Sequence, residues 1–342
     1  MQRIKFICFV LTLLLGACSI SSKKNVERLT LRPSSVIQDS MFTQMPGVLL
    51  LCPPYLVWED PFNSEHFLHV VDITAKKEIG VMGEIGRGPK EFITPVSFQS
   101  IGHKVFTLDL NQHKQAYYSV DSLVAGKEPF IPCPLDAIKD CFITVQIAEN
   151  DFISISPRGE HLFQWIHPDS SVTYFGKCPI KEILSPDEND QARTGDLEYN
   201  PCNNKLVYSA KRIPYFALYE KQGDTFQLVR EKTSSKRSYE IKNDRFHFFN
   251  DQPTPSEIVL TKDYIIALQQ DEDTELPRQE RTSGIRDFSK VPNTILVYDY
   301  EFNLQKIINM SMSILRIAGN CNSNTLYAIG IDLDFCIFTY EI

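Results

Sequence analysis

The chain has 342 residues and a formal net charge of −8 at pH 7. Such an acidic chain is poorly suited to nucleic acid or to anionic lipid headgroups, because both are bound by clustered Lys and Arg. The length allows one or two domains and is sufficient for a large hydrophobic core.

The start of the chain has the pattern of a bacterial lipoprotein signal. Arg3 and Lys5 form a positive region, residues 7–15 form an apolar run, and Leu15-Gly16-Ala17 leads directly into Cys18. The run is shorter than the 20 or so apolar residues that span a bilayer, and its flanks are typical of a cleaved export signal. We therefore predict that Cys18 is lipidated. The alternative is an ordinary secretory peptide with an incidental cysteine.

This interpretation divides the chain into a signal peptide at residues 1–17, a polar tether at residues 18–25 and one domain at residues 26–342. Seven cysteines remain after Cys8 leaves with the signal and Cys18 is lipidated. An exported protein can form disulfides, so one is plausible, but the sequence does not identify its partners. The spacing of a structural zinc site is missing.

The predicted domain consists of short β-strands. Apolar runs rich in Val, Ile, Phe and Tyr recur between Asn, Asp, Gly and Pro, and helical periodicity is hard to find. For example, residues 105–110 alternate, a turn follows, and residues 115–121 return as the second strand of a hairpin. The predicted strands fall into sets at 47–82, 105–121, 141–175, 205–230, 258–310 and 325–342.

Six sets of strands predict a six-bladed β-propeller of four-stranded antiparallel blades. Radial stacking buries both faces of each small sheet and leaves only short edges. Seven blades fit the length equally well, and a two-sheet sandwich is the other alternative. The last set is a strand or two short, so we expect residues 26–36 to complete it and to close the ring with the C-terminal strands.

The densest group of backbone-controlling residues is the segment Gly86-Arg87-Gly88-Pro89-Lys90-Glu91-Phe92, which is followed by Pro95. Glycine permits conformations that other residues avoid, and proline fixes its own φ. We predict a link between blades in which Phe92 is the buried anchor and Arg87 and Glu91 form hydrogen bonds. A phosphate-binding loop is disfavoured, because the Lys-Ser/Thr ending and the following helix are absent.

This motif resembles the Gly-x-Gly-Pro-x-x-Phe…Pro pattern of NHL-type blades. Together with the segment ending at Cys18, with Asn324-Thr325-Leu326-Tyr327-Ala328 and with Tyr340, it is similar to the TolB-like six-bladed propeller lipoproteins of Bacteroidetes. The resemblance implies a fold and a location in the cell envelope more than an activity. Surface-exported relatives carry acidic residues after the cysteine, and residues 19–25 have none, which favours the periplasmic face of the outer membrane.

A charged insertion is the one other segment with a predicted role. Its acidic start contains Asp271, Asp273 and Glu275, and Arg278 and Arg281 follow. An EF-hand is excluded, because the sixth position is leucine and the twelfth is threonine. Long loops on rigid scaffolds often bind ligands, so this insertion is a candidate ligand or partner loop.

The sequence contains no catalytic signature, such as a Gly-x-Ser-x-Gly elbow. We therefore predict a lipid-anchored propeller that binds an envelope protein or a small ligand at one end of its axis. The alternative is a metal-assisted hydrolase or lyase with its site at the axial mouth. No cofactor is predicted, although calcium is compatible with an axial site. No nucleic-acid partner is predicted.

Overall fold

A computed structural model describes residues 26–133, 138, 141, 143–156, 160–182, 184–271 and 291–342. Six antiparallel sheets are arranged in sequence around one axis. The first strand of each sheet contacts the first strands of the sheets on either side, and the sixth sheet contacts the first. The chain is therefore an all-β six-bladed propeller, as the strand pattern predicts, and neither a seven-bladed ring nor a sandwich.

Each blade is a meander in which the strand nearest the axis comes first. Blade 1 contains β3 (Leu49–Cys52), β4 (Tyr55–Glu59), β5 (His66–Asp72) and β6 (Lys77–Glu84). Blade 2 contains β7 (Pro95–Ile101), β8 (Lys104–Asp109), β9 (Lys114–Ser119) and β10 (Phe130–Pro132). Blade 3 contains β11 (Thr144–Ala148), β12 (Asp151–Ile155), β13 (His161–Ile166) and β14 (Val172–Lys177).

The second half of the ring follows the same plan. Blade 4 contains β15 (Gly195–Asn200), β16 (Lys205–Ala210), β17 (Tyr215–Gln222) and β18 (Thr225–Thr233). Blade 5 contains β21 (Glu257–Leu260), β22 (Ile265–Leu268), β23 (Thr294–Tyr298) and β24 (Leu304–Asn309), and blade 6 contains β25 (Ser313–Ala318), β26 (Thr325–Asp332) and β27 (Asp334–Glu341). A separate hairpin, β19 (Tyr239–Lys242) with β20 (Arg245–Phe248), lies between blades 4 and 5 in the sequence and packs against the cluster between blades 3 and 4.

The N-terminal strands close the ring in a way that differs in part from the expectation. The strand β2 (Ser35–Gln38) pairs antiparallel with β27 and completes blade 6, as predicted. The strand β1 (Glu27–Thr30) pairs parallel with β24 instead and becomes the fifth strand of blade 5. The prediction that the whole stretch belongs to the last blade is therefore wrong. The stretch forms two strands in different blades, because the four residues between β1 and β2 are enough to cross from one blade to the next.

The hydrophobic core is divided among the six blade junctions. Alternate residues of each strand face opposite neighbours, so every junction has its own cluster. Between blades 1 and 2, for example, Phe67, Phe92 and Tyr118 meet with ring centroids 5.6–6.2 Å apart. Between blades 3 and 4, Phe163 packs edge-on against Tyr208 and Tyr219. Each blade thus depends on both of its neighbours for burial.

The two ends of the propeller differ in their connections. One end carries the links between blades and the loops between second and third strands, and we call it the link face. The other end carries the remaining turns, and we call it the turn face. Two short helices, α1 (Val120–Val124) and α2 (Pro186–Arg193), lie between strands, and α2 is part of the link before blade 4. No helix in the described part of the chain is long and apolar enough to cross a membrane.

Candidate functional site

The glycine-rich motif forms the link from β6 to β7, between blades 1 and 2. Gly86 and Phe92 are joined by a backbone hydrogen bond of 3.0 Å, and Phe92 N–H donates to Glu84 at 2.9 Å. The Glu91 carboxylate accepts a 2.6 Å bond from Gly88 N–H. A side chain at Gly86 would overlap this carboxylate. The segment therefore forms a compact loop around Glu91.

The same link is also held from blade 2. Lys114 Nζ donates to the carbonyl oxygens of Gly88 and Glu91 at 2.8 and 2.6 Å. The Phe92 ring is completely buried between the blades. Arg87 and Pro89 are exposed, and Arg87 forms no hydrogen bond or ion pair with the described residues. The contacts around Gly86 to Phe92 are thus those of packing and backbone closure.

The predicted insertion lies mostly outside the described residues. Asp273, Glu275, Arg278 and Arg281 belong to that part. Asp271 is described, and its carboxylate forms a 3.0 Å ion pair with Arg28 of β1. This contact fastens the fifth strand of blade 5 to the chain that follows β22.

The axis of the ring encloses a cavity of about 510 Å³, lined by the first strands of all six blades. Ligand pockets have volumes of about 300–1,000 Å³, so the cavity is large enough for a small molecule. Four carboxyl side chains line it, and they come from three blades: Glu59, Asp196, Glu198 and Glu257.

Three of these carboxyls lie at the link-face end and have partners. Glu59 accepts a 3.2 Å hydrogen bond from Val48 N–H, and Glu257 accepts one of 2.7 Å from Ile317 N–H in the next blade. Asp196 accepts a hydrogen bond from Lys211 Nζ and one from the backbone of Ile258. The bonds from the Ile258 and Ile317 backbone connect the start of one inner strand to the next blade, whereas the bonds from Val48 and Lys211 stay within one blade.

The blade junctions carry other bonds of this type. Ser100 Oγ donates to Leu51 O at 3.1 Å, and Gln99 Nε2 donates to Thr144 O at 2.6 Å. Arg316 Nε donates to Gly47 O at 2.6 Å and so connects blade 6 to blade 1. Hydrogen bonds of this type therefore connect neighbouring blades around the cavity.

Glu198 is the exception among the four carboxyls. It lies two residues beyond Asp196 along β15, which is about 7 Å deeper in the cavity. Protein surrounds the carboxyl, but water in the cavity can still reach it. It forms no hydrogen bond and no ion pair with any residue that the structure describes. Burial and, to a lesser extent, the charges of Asp196 and Glu257 together raise its pKa from the ordinary 4.5 to about 8.

The neighbouring carboxyls are perturbed in the same sense. Burial raises the pKa of Glu257 to about 7, against the opposing charge of Arg316. Burial also raises the pKa of Glu59 to about 7, while the bond from Val48 N–H and the charge of Arg316 lower it. The pKa of Asp196 is raised by burial and lowered by the charge of Lys211. The four carboxyls that line the cavity thus outnumber the two cations, Lys211 and Arg316, whose charges act on them.

Sequence reasoning did not identify these residues. The signal was present in Gly195-Asp196-Leu197-Glu198-Tyr199-Asn200, where polar and apolar residues alternate as in a strand with one polar face. Asp, Glu and Asn are uncommon in strands, so this segment was not predicted as one.

The described residues of the cavity fit a calcium ion only in part. Carboxylate oxygens suit this ion, but no three His, Cys, Asp or Glu side chains among the described residues are grouped to hold a metal.

The fold and the cavity define a class: a six-bladed propeller with an acidic axial pocket. Residues 29–320 match the model of the family described as TolB-like 6-blade propeller-like. The chain belongs to this family. No curated protein matches its sequence.

Solved structures are similar in fold at low sequence identity. Regucalcin from Agrobacterium tumefaciens, described as a calcium-binding protein, is 8% identical with a TM-score of 0.52, over 93% of this chain and 96% of that one. A gluconolactonase from Xanthomonas campestris is 9% identical with a TM-score of 0.50, over 90% and 88%. The Swd1 propeller domain of Myceliophteria thermophila is 10% identical with a TM-score of 0.47, over 87% and 82%. At these identities the likeness concerns the fold alone.

Proposed function

We propose that this protein is a lipid-anchored binding module of the cell envelope that takes a small ligand into its axial cavity. The observation that carries the proposal is the Glu198 carboxyl, which faces the cavity without a hydrogen-bond or ion-pair partner among the described residues. A carboxyl group enclosed by protein is normally paired, because burying it alone is costly. A ligand that donates hydrogen bonds, and above all one with an ammonium group, would supply the missing partner.

The ligand class follows from the charges in the cavity. Lys211 is shared between Asp196 and backbone carbonyls, and Arg316 is bonded to Gly47 O. An incoming cation would therefore lower the pKa of Glu198, pair with the ionised carboxylate and interact with the carboxyl neighbours that raise this pKa. An anionic ligand would add negative charge beside these neighbours and would be repelled.

Binding of a primary amine is the test. Titration calorimetry with glucosamine and putrescine, against acetate and gluconate as anions, should show binding of amines alone. Glu198→Gln should weaken amine binding at least tenfold, whereas Glu220→Gln, an exposed carboxylate on the outer part of blade 4, should not change it. Binding of the anions, or equal binding by Glu198→Gln, would contradict the proposal.

The anchor sets the orientation that we propose. Val26 packs beside Tyr300 and Leu304, near the turn face of blade 5. The eight residues from Cys18 to Asn25 reach at most about 28 Å, so a lipid on Cys18 would hold the turn face towards the membrane. The link face and the mouth of the cavity would then point away from it. We place the protein on the periplasmic face of the outer membrane.

Two measurements test this placement. Cys18→Ala should move the protein from the membrane fraction to the soluble fraction and abolish incorporation of labelled palmitate. Added proteinase K should leave the protein intact in whole cells and cleave it in cells with a permeabilised outer membrane. Cleavage in whole cells would show surface exposure instead.

A hydrolase or lyase is the second candidate, favoured by the pKa of Glu198. A carboxyl with a pKa of about 8 is protonated at neutral pH and can serve as a proton donor. Turnover of a lactone, ester or glycan that is lost in Glu198→Gln would favour this candidate. Metal analysis of the purified protein, before and after chelation, would decide whether calcium participates.

A further inference from the structure

A second surface on the link face has the properties of a docking site. The groove has a volume of about 680 Å³ and lies between the loop after β2, the β4–β5 loop and the tip of the β26–β27 hairpin. We call it the rim groove. Its lining includes Phe42, Phe62, Asp60, Glu65 and Asp334.

Three large apolar side chains stand out into solvent at this groove. Phe42 is 103% exposed, Phe62 is 54% exposed, and Leu333, next to Asp334, is 106% exposed. The backbone next to Phe42 is held in place, because the side chain of Met41 is buried in the cluster between blades 6 and 1. Single exposed apolar residues are common, but three around one groove indicate an interaction site.

The backbone at Leu333 adds an independent indication. Leu333 is the single residue between β26 and β27, and its φ is +64°. Glycine or asparagine is the residue that suits this left-handed conformation, whereas leucine is strained in it. A leucine that is strained and also fully exposed gains nothing from the fold itself, which suggests that its side chain is used in binding.

The groove is also held in shape before any partner binds. The buried Asp60 carboxylate accepts hydrogen bonds from Thr43 Oγ1 at 2.7 Å and from Phe62 N–H at 3.1 Å. It thereby joins the two segments that carry Phe42 and Phe62. Binding would therefore cost little ordering of these loops.

The charges select the kind of partner. None of the described residues that line the groove is Lys or Arg. Asp60 is buried 4.0 Å from His69, so the exposed charge comes from Glu65 and Asp334. Asp39 and Asp332 lie near Asp334, since all three raise the pKa of Cys336. An apolar centre with an acidic rim complements a basic segment with apolar side chains.

We propose that the rim groove binds a polypeptide segment of a partner protein in which Lys or Arg residues flank aromatic or aliphatic side chains. The exposed rings contact the apolar side chains, and the acidic rim selects the flanking cations. The small size of the groove predicts a transient interaction with a micromolar Kd. This site is independent of any ligand in the axial cavity.

Fluorescence anisotropy with labelled synthetic peptides tests the proposal on the purified domain. The probe is Lys-Arg-Phe-Leu-Arg-Lys, with Glu-Glu-Phe-Leu-Glu-Glu and Lys-Arg-Ser-Ser-Arg-Lys as comparisons. The first should bind, and its Kd should rise several-fold between 50 and 300 mM NaCl. The acidic peptide and the peptide without apolar residues should bind at least tenfold more weakly.

Variants of the groove distinguish binding from folding. Leu333→Gly should raise Tm because it relieves the left-handed strain, yet it should weaken peptide binding at least fivefold. Phe42→Ser combined with Phe62→Ser should weaken binding at least tenfold with Tm unchanged. Phe249→Ser, at an exposed ring near the β19–β20 hairpin, is the matched control and should bind as the wild type does.

Three results would overturn the proposal. The first is the absence of binding by the basic apolar peptide, or equal binding by all groove variants. The second is self-association in sedimentation that the same variants abolish, which would make the groove an interface between copies of this chain. The third is binding of phosphatidylethanolamine–phosphatidylglycerol vesicles through Phe42 and Phe62, which would make it a lipid contact.

Discussion

Glu198→Gln should stabilise the protein, and the effect should depend on pH. The pKa of Glu198 is raised from 4.5 to about 8, mainly by burial and also by the charges of Asp196 and Glu257. The unfolded chain therefore loses the proton near pH 4.5, whereas the folded protein keeps it until about pH 8. The folded protein is accordingly destabilised as the pH rises through this window. Glutamine remains neutral at every pH and removes this cost.

The magnitude follows from the size of the pKa change. One pKa unit corresponds to about 1.4 kcal/mol, so the full change is worth roughly 5 kcal/mol at pH 8. Water in the axial cavity screens part of it, and we expect about 2–4 kcal/mol. With an unfolding entropy of about 2.1 cal/mol/K per residue, this corresponds to a Tm that is roughly 3–6 °C higher than that of the wild type.

Differential scanning calorimetry between pH 4.5 and 8.5 measures the effect. The two proteins should have similar Tm values at pH 4.5 and should diverge as the pH rises. The control is Glu220→Gln, since Lys205 lowers the pKa of this exposed carboxylate and its removal should not stabilise the protein at pH 8. A Tm difference that is the same at pH 4.5 and pH 8 would refute the reasoning, because it could not arise from ionisation of Glu198.

Three further changes test the fold. Phe92→Ala should lower the free energy of unfolding by about 3–5 kcal/mol in urea denaturation, because it leaves a cavity between blades 1 and 2. Ile93→Ala, at the exposed neighbour, should cost less than 1 kcal/mol. Equal losses would contradict the role of Phe92 as an anchor between blades. Gly88→Val should lower Tm, since its side chain would press against the Glu91 carboxylate that Gly88 N–H binds; unchanged folding with lost ligand binding would show that the motif is a binding site. Replacing both Cys202 and Cys321 by serine should cost about 2–4 kcal/mol, because their disulfide joins turns of blades 4 and 6 across 119 residues; an equal difference between wild type and variant in the presence of a reductant would contradict this source.

The sequence was sufficient for most of the strands and for the number of blades. An alternating run such as residues 105–110 can be recognised without knowledge of its tertiary contacts, because a strand that packs through one face has apolar residues at every second position. The count of hairpins then led to six blades, and the shortage of strands in the last set indicated closure by the N terminus. The resemblance of the glycine-rich motif to known blades pointed to the same architecture.

Features that depend on partners distant in the sequence were not accessible in this way. The edge strand β1 contains no residue that specifies blade 5, and its parallel pairing with β24 is decided by where the chain can reach. The pairing of Cys202 with Cys321 required the turn face to bring blades 4 and 6 together. For the same reason, the strand after α2 was missed, since its polar residues lower strand propensity unless they face a cavity.

The sequence by itself determined the repeating strands and the ring that they form, since both follow from local patterns of apolar and turn-forming residues. Only the tertiary structure decided that Glu198 faces the axis between Asp196 and Glu257, and that Phe42, Phe62 and Leu333 surround one groove. Residues from separate blades can act on the same ligand only when the ring brings them together. Neither their spacing in the sequence nor the composition specifies how far apart they lie in space.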